Sequence, residues 1–164
     1  MRSPDCPRPL VGPNPQREDG ASDVEQQGIC SKGISGAVSH RQAICAALAP
    51  DARWQAVVPQ ANVVHGADGI CREAERQYRI YKDCDCDLLN IASSGDTVFT
   101  ERVDRVRLLD GDKEIITSVA GIFTLDEDDR IVFWREYWDM LYIADQIGVS
   151  GETMRQMMDT QAEA

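Results

Sequence analysis

From Thr97 onward the sequence is a chain of long extended-strand patterns cut by acidic and glycine turns. Thr97–Leu109 is parted from Glu114–Leu125 by Asp110-Gly111-Asp112, and Glu114–Leu125 from Arg130–Trp138 by the acidic stretch 126–129. Asp-Gly supplies the positive φ that a tight antiparallel hairpin needs. Just upstream, Cys84, Cys86 and Leu88 alternate with Asp85 and Asp87 before the turn Ser94-Gly95-Asp96. Such alternation is the mark of strands with unlike faces. Four successive strands joined by short turns fold as an antiparallel meander.

The segments around this meander read as helices. Between Ser39 and Leu48, Ala43, Ile44, Ala47 and Leu48 fall at helical spacing, with Ser39 as the cap and Pro50 beyond the end. Ala67–Lys82 places Ile70, Ala74, Tyr78 and Tyr81 on one face. Met140–Ile147 reads as a short closing helix, and a last one follows Ser150 with Met154, Met157 and Met158 on one side. Helices followed by an antiparallel meander make an α+β plan. With 164 residues there is room for one domain of ordinary size, assigned to residues 37–164. Residues 1–36 carry five of the seven prolines and little periodicity, so they are expected to form a flexible or dimer-embracing arm.

Composition narrows the partners. A net charge of −11 repels nucleic-acid phosphates and anionic membrane surfaces, so neither is expected. No apolar run approaches the roughly 18 residues of a membrane span, and residues 1–5 do not open a secretory signal. The expected location is cytoplasmic, with all six cysteines as reduced thiols. Cys84-Asp85-Cys86 lacks the second ligand pair of a zinc site, with His40 and His65 as the two histidines available. The acidic turns lack the ordered ligands of a calcium loop. No metal and no cofactor is expected.

Side chains two apart on a strand share a face. Val98, Thr100, Arg102, Asp104, Val106 and Leu108 therefore form an apolar stripe with an ion pair in its middle, a costly arrangement often found at functional sites. The bland alternative is a solvated Arg-Asp pair. In the last strand, Phe133, Arg135, Tyr137 and Asp139 share a face, and Asp139 could be aimed into a cavity or could cap the next helix. Two carboxylates about one arginine form an acid/base unit, because one can hold a proton while the other stays ionised.

Glu101-Arg102-Val103-Asp104, Gly121-Ile122-Phe123 and Trp134-Arg135-Glu136-Tyr137-Trp138-Asp139 together resemble the signature of the limonene-1,2-epoxide hydrolase family. The similarity covers about residues 66 to 145. It implies a SnoaL-like, nuclear-transport-factor-2-like cone, with a curved, mainly antiparallel sheet, helices over the concave face and a homodimer. It further implies an Asp-Arg-Asp triad that opens a small apolar epoxide with water in one step. Carried over, Asp139 would be the base, Asp104 the acid and Arg102 the bridge. The family also holds its water with a Tyr and an Asn upstream of the second helix. Here Trp54 would take the aromatic place, Asn62 or Gln55 would assist, and Phe123 and Tyr137 would wall the substrate pocket. A relaxed water site suits a second reading, an epoxide-opening cyclase of polyketide or terpenoid biosynthesis. A third reading is a non-catalytic cone that binds an apolar ligand.

Overall fold

The alternation expected from Thr97 onward is present along the strand. Val98, Thr100 and Arg102 are buried while Phe99 and Glu101 are exposed, so one face of the sheet carries the core. The structure is a computed structural model and describes residues 41–59 and 63–159. The expected arm lies outside these residues, as do Ser39, Asn62, Cys6 and Cys30.

Four strands make the meander: β3 (Tyr81–Ser94), β4 (Thr97–Leu108), β5 (Glu114–Leu125) and β6 (Ile131–Trp138). Each is antiparallel to its neighbour. Two strands precede them in sequence, β1 (Leu48–Gln55) and β2 (Val64–His65). The sheet order is β2-β1-β6-β5-β4-β3, with β1 parallel to β6 and antiparallel to β2. The helices are α1 (Arg41–Ala47), α2 (Ala67–Gln77), α3 (Met140–Ile147) and α4 (Gly151–Asp159).

Two boundaries and one cysteine pairing differ from the sequence reading. The first helix stops at Ala47, and Leu48 opens β1, a strand that the helical spacing of Leu48 concealed. Pro50 therefore falls inside a strand. It does so where the β1–β6 register is interrupted between Leu48 and Arg53, so its missing N–H costs no regular rung of that ladder. The second helix ends at Gln77 rather than Lys82, because Tyr81 and Lys82 pair with Leu108 and Arg107 as the start of β3. Cys45 and Cys71 form a disulfide between α1 and α2, which corrects the expectation that every thiol is reduced.

Two apolar clusters hold the layers together. Ile70 of α2, fully buried, joins Leu48, Ala52, Val98, Phe123 and Trp134 on the inner face of the sheet. Val57, Ala144, Met154 and Met158 tie α3 and α4 together, with Trp138 packed against them. Between the two clusters the inner face is open. Among the described residues no helix is long and apolar enough to cross a membrane.

Because Ile70 is the fully buried side chain that α2 adds to the main cluster, with Ala67 and Cys71 beside it, Ile70→Ala is expected to cost about 2–5 kcal/mol in denaturant unfolding. A loss under about 1 kcal/mol would show that α2 is held by other means.

Candidate active site

The inner faces of β4, β5 and β6 meet in register at Thr100, Gly121 and Glu136. Arg102 lies two residues along β4 from Thr100, and its guanidinium reaches back across the glycine. A methyl group built on Gly121 would stand 3.0 Å from Arg102 Nη1, 2.7 Å from Thr100 Oγ1 and 2.9 Å from the Phe123 ring. The missing side chain is thus the space in which the guanidinium lies.

Arg102 bridges two carboxylates. Its Nε donates to both oxygens of Asp104 at 2.9 and 3.0 Å, and its Nη2 donates to Glu136 Oε1. The other Glu136 oxygen accepts from Trp54 Nε1 at 3.3 Å. The bridge is secluded: the side chains of Arg102, Glu136 and Asp104 are 5%, 8% and 15% exposed. Burial works against the charge on Arg102, but Glu136 and Asp104 outweigh it and hold its pKa above the ordinary value. Burial pushes the Glu136 pKa up, partly offset by Arg102. Arg102 Nη1 is buried with no hydrogen-bond partner among the described residues.

These groups stand at the polar end of a cavity of about 240 Å³. Val106, Ile115 and Val119 of the sheet, Ile143 of α3, and Met154 and Met158 of α4 make its apolar wall. Tyr81 also faces it, its hydroxyl donating to Gln77 Oε1 at 3.2 Å. Burial raises the Tyr81 pKa, so the phenol remains protonated.

The sequence brought Arg102 and Asp104 together correctly, but Asp139 is not with them. Asp139 is exposed and N-caps α3, its Oδ1 accepting from the backbone N–H groups of Leu141 and Tyr142 at 3.0 Å. Glu136 stands in the position given to it. The strand reading chose the wrong face of β6: Trp134, Glu136 and Trp138 point inward, while Phe133, Arg135 and Tyr137 point outward. Both sets mix aromatics with one charge, so alternation could not choose between them. The two tryptophans carry the larger apolar surface, which was the available signal for the inward face.

The expected pocket wall divides likewise. Trp54 lines the cavity and holds Glu136. Phe123 is 1% exposed within the main cluster, stacked on Trp134 at 5.7 Å, and lies behind the cavity rather than on its wall. Tyr137, 39% exposed, is on the outer face. Asn62 is outside the described residues.

The fold and site together define a SnoaL-like, nuclear-transport-factor-2-like α+β cone. Its solved likenesses include a Shewanella denitrificans protein assigned as a SnoaL-like polyketide cyclase (13% identity, TM-score 0.65, covering 73% of this chain and 97% of that one). An NTF2-like protein from Burkholderia thailandensis matches at 21% identity and TM-score 0.61, covering 72% and 96%. An LEH-like epoxide hydrolase of M. tuberculosis matches at 21% identity and TM-score 0.62, covering 74% and 90%. Residues 37–148 match the limonene-1,2-epoxide hydrolase catalytic domain, and the chain belongs to that family.

Two substitutions separate site from scaffold. Gly121→Ala, by crowding Arg102 and Thr100, is expected to cost about 1–3 kcal/mol of stability. Asp139→Ala should cost about 1 kcal/mol as a lost cap. Thermal unfolding of the two variants checks both values. An unchanged melting temperature for Gly121→Ala would show that the guanidinium does not need this space.

Proposed function

We propose that the protein opens a small, neutral, apolar epoxide with water, giving a vicinal diol, without metal or cofactor. The observation that carries this reading is Arg102 clamped between Asp104 and Glu136 at the polar end of an apolar cavity. Glu136 takes the role first given to Asp139. As a buried carboxylate with a raised pKa, it is a stronger base toward water than an exposed glutamate. Asp104, on the cavity wall, supplies the proton for the epoxide oxygen as the ring opens. Arg102 stays charged throughout and fixes the spacing of the two. The ring carbon, the attacking water and the departing oxygen are thereby handled by one rigid unit, and positioning adds to acid and base catalysis.

A second reading is favoured by Trp54. Its Nε1–H is directed to Glu136 itself rather than to a water, and a base held this way suits a hydroxyl brought by the substrate. The product would be a cyclic ether, as in polyketide or terpenoid biosynthesis. We also assign the outer face of the sheet, where Phe99, Ile116 and Tyr137 are exposed, to a homodimer.

Asp104→Asn and Glu136→Gln should each lower turnover at least about 10²-fold with the fold intact, whereas Asp139→Asn should leave it near wild type. The pH profile carries a sign. Glu136 works ionised, so kcat/KM should fall as pH drops through its pKa, on a limb lying above the ordinary glutamate value because burial raises it. A limb at or below that ordinary value would remove Glu136 as the base. Turnover in water labelled with oxygen-18 separates the two products: a diol carries one labelled oxygen, whereas a cyclic ether carries none and would overturn the hydrolase reading.

A further inference from the structure

Strand β3 carries two thiols that the acid/base unit does not use. It lies at the edge of the sheet, paired with β4. Tyr81 pairs with Leu108 and Lys82 with Arg107, but the next rung joins Asp85 to Arg105. Asp83 and Cys84 on β3 thus stand opposite Val106 alone, which is a bulge, and Asp83 takes a positive φ of 54° within it. In a regular strand Tyr81 and Cys84, three apart, would face opposite sides. The extra residue turns both into the cavity, where they line the wall with Asp104 and Arg102. Beyond the bulge regular alternation resumes as far as Leu88, and Cys86 pairs across to Asp104.

The two sulfurs are 3.8 Å apart, so one thiol donates to the other. Cys84 lines the cavity whereas Cys86 is not among its lining residues, so Cys84 is the thiol that an entering ligand meets, with Cys86 placed to donate to it. The Cys86 S–H lowers the pKa of Cys84 against burial and the Asp104 carboxylate, while the contact with Cys84, burial and Asp104 push that of Cys86 up. The positive charge of Arg102 favours the Cys84 thiolate as well, and Glu136 opposes it. A thiol donor, a nearby guanidinium and a place on the cavity wall make Cys84 the nucleophilic member of the pair.

We propose that Cys84 is a covalent capture site for small, apolar α,β-unsaturated carbonyl compounds that enter the cavity, with Cys86 as the group that activates it. The sulfur electron pair forms a carbon–sulfur bond at the β-carbon. The alkene pair moves toward the carbonyl oxygen as an enolate, and the proton that left Cys84 ends on the α-carbon through water. The addition is balanced with no oxidant, reductant or further reactant. The resulting thioether occupies the space beside Asp104 and excludes other ligands from it. This inference rests on the cavity and the thiol pair, not on the epoxide reading.

The probe is 2-cyclohexenone, applied to the full chain, with adducts located by fragmentation of the peptide that holds both cysteines. Cys84 is expected to be modified at least about tenfold faster than Cys86. Cys86→Ala should slow modification of Cys84 several-fold, and saturating cyclohexanone, which fits the cavity but cannot add a thiol, should slow it in the wild-type chain. Equal labelling of the two cysteines, faster labelling of Cys86, or labelling of Cys84 indifferent to cyclohexanone would each overturn the proposal. The readout is mass rather than turnover. Capture without turnover of any epoxide would leave this site standing and remove the hydrolase reading; turnover without capture would do the reverse.

Discussion

A guanidinium almost wholly withdrawn from water, with two carboxylates to hold it, is the constraint around which the inner face is arranged. A single buried charge would be prohibitive, and even a pair gives back little once both partners are desolvated. Arg102 is tolerated because its Nε and Nη2 meet separate carboxylates, and because Glu136 takes a further bond from Trp54. The arrangement then dictates its surroundings. Gly121 has to lack a side chain, Thr100 has to stay small, and β4, β5 and β6 have to keep the register that lines these residues up. Two carboxylates against one cation also leave an excess negative charge indoors, which a shared proton relieves. The same imbalance that burdens the fold is what the proposed acid and base would draw on.

How much of this could be read from the chain depended on what carried the signal. The meander was legible because Asp-Gly turns and alternation are local: β5 and α3 fall where the spacing put them, and β4 and β6 within a residue. The Arg102–Asp104 pair was legible for the same reason, being two residues apart on one strand. Strand β1 was not, because Leu48 fitted the preceding helix and Pro50 looked like its end, while the decisive partner, β6, is some eighty residues away. Its parallel pairing is a tertiary fact. Asp139 was misplaced for a related reason. Whether a residue just past a strand turns inward or caps the next helix is settled by the helix, whose first N–H groups claimed the carboxylate. Glu136, the residue that meets Arg102, sat within the motif but on the face that alternation could not rank.

The edge position of β3 is a further departure from regularity with a physical rationale. A central strand is clamped by two ladders and has little freedom to admit an extra residue, whereas an edge strand can bulge by disturbing one. Asp83 uses that freedom, and its bulge presents Tyr81 and Cys84 to the cavity together. The irregular strand therefore contributes side chains that a regular one would have sent outward. Edge strands also invite pairing with other chains, and Asp85 and Asp87 on the outward side, with Arg105 held by Asp87, set charges along this edge that discourage it.

Helix α4 decides how dry the inner face is. Met154 and Met158 complete the apolar wall of the cavity, yet they pack with α3 and Trp138 rather than with the main cluster of the sheet. A local opening of α3 and α4 would therefore bring water to the ion pair, where its two carboxylates are hydrated and its charges are cheap, without breaking the rungs that join β4, β5 and β6. The same nine-residue helix thus sets whether Arg102 and its carboxylates form a solvated salt bridge or a secluded one.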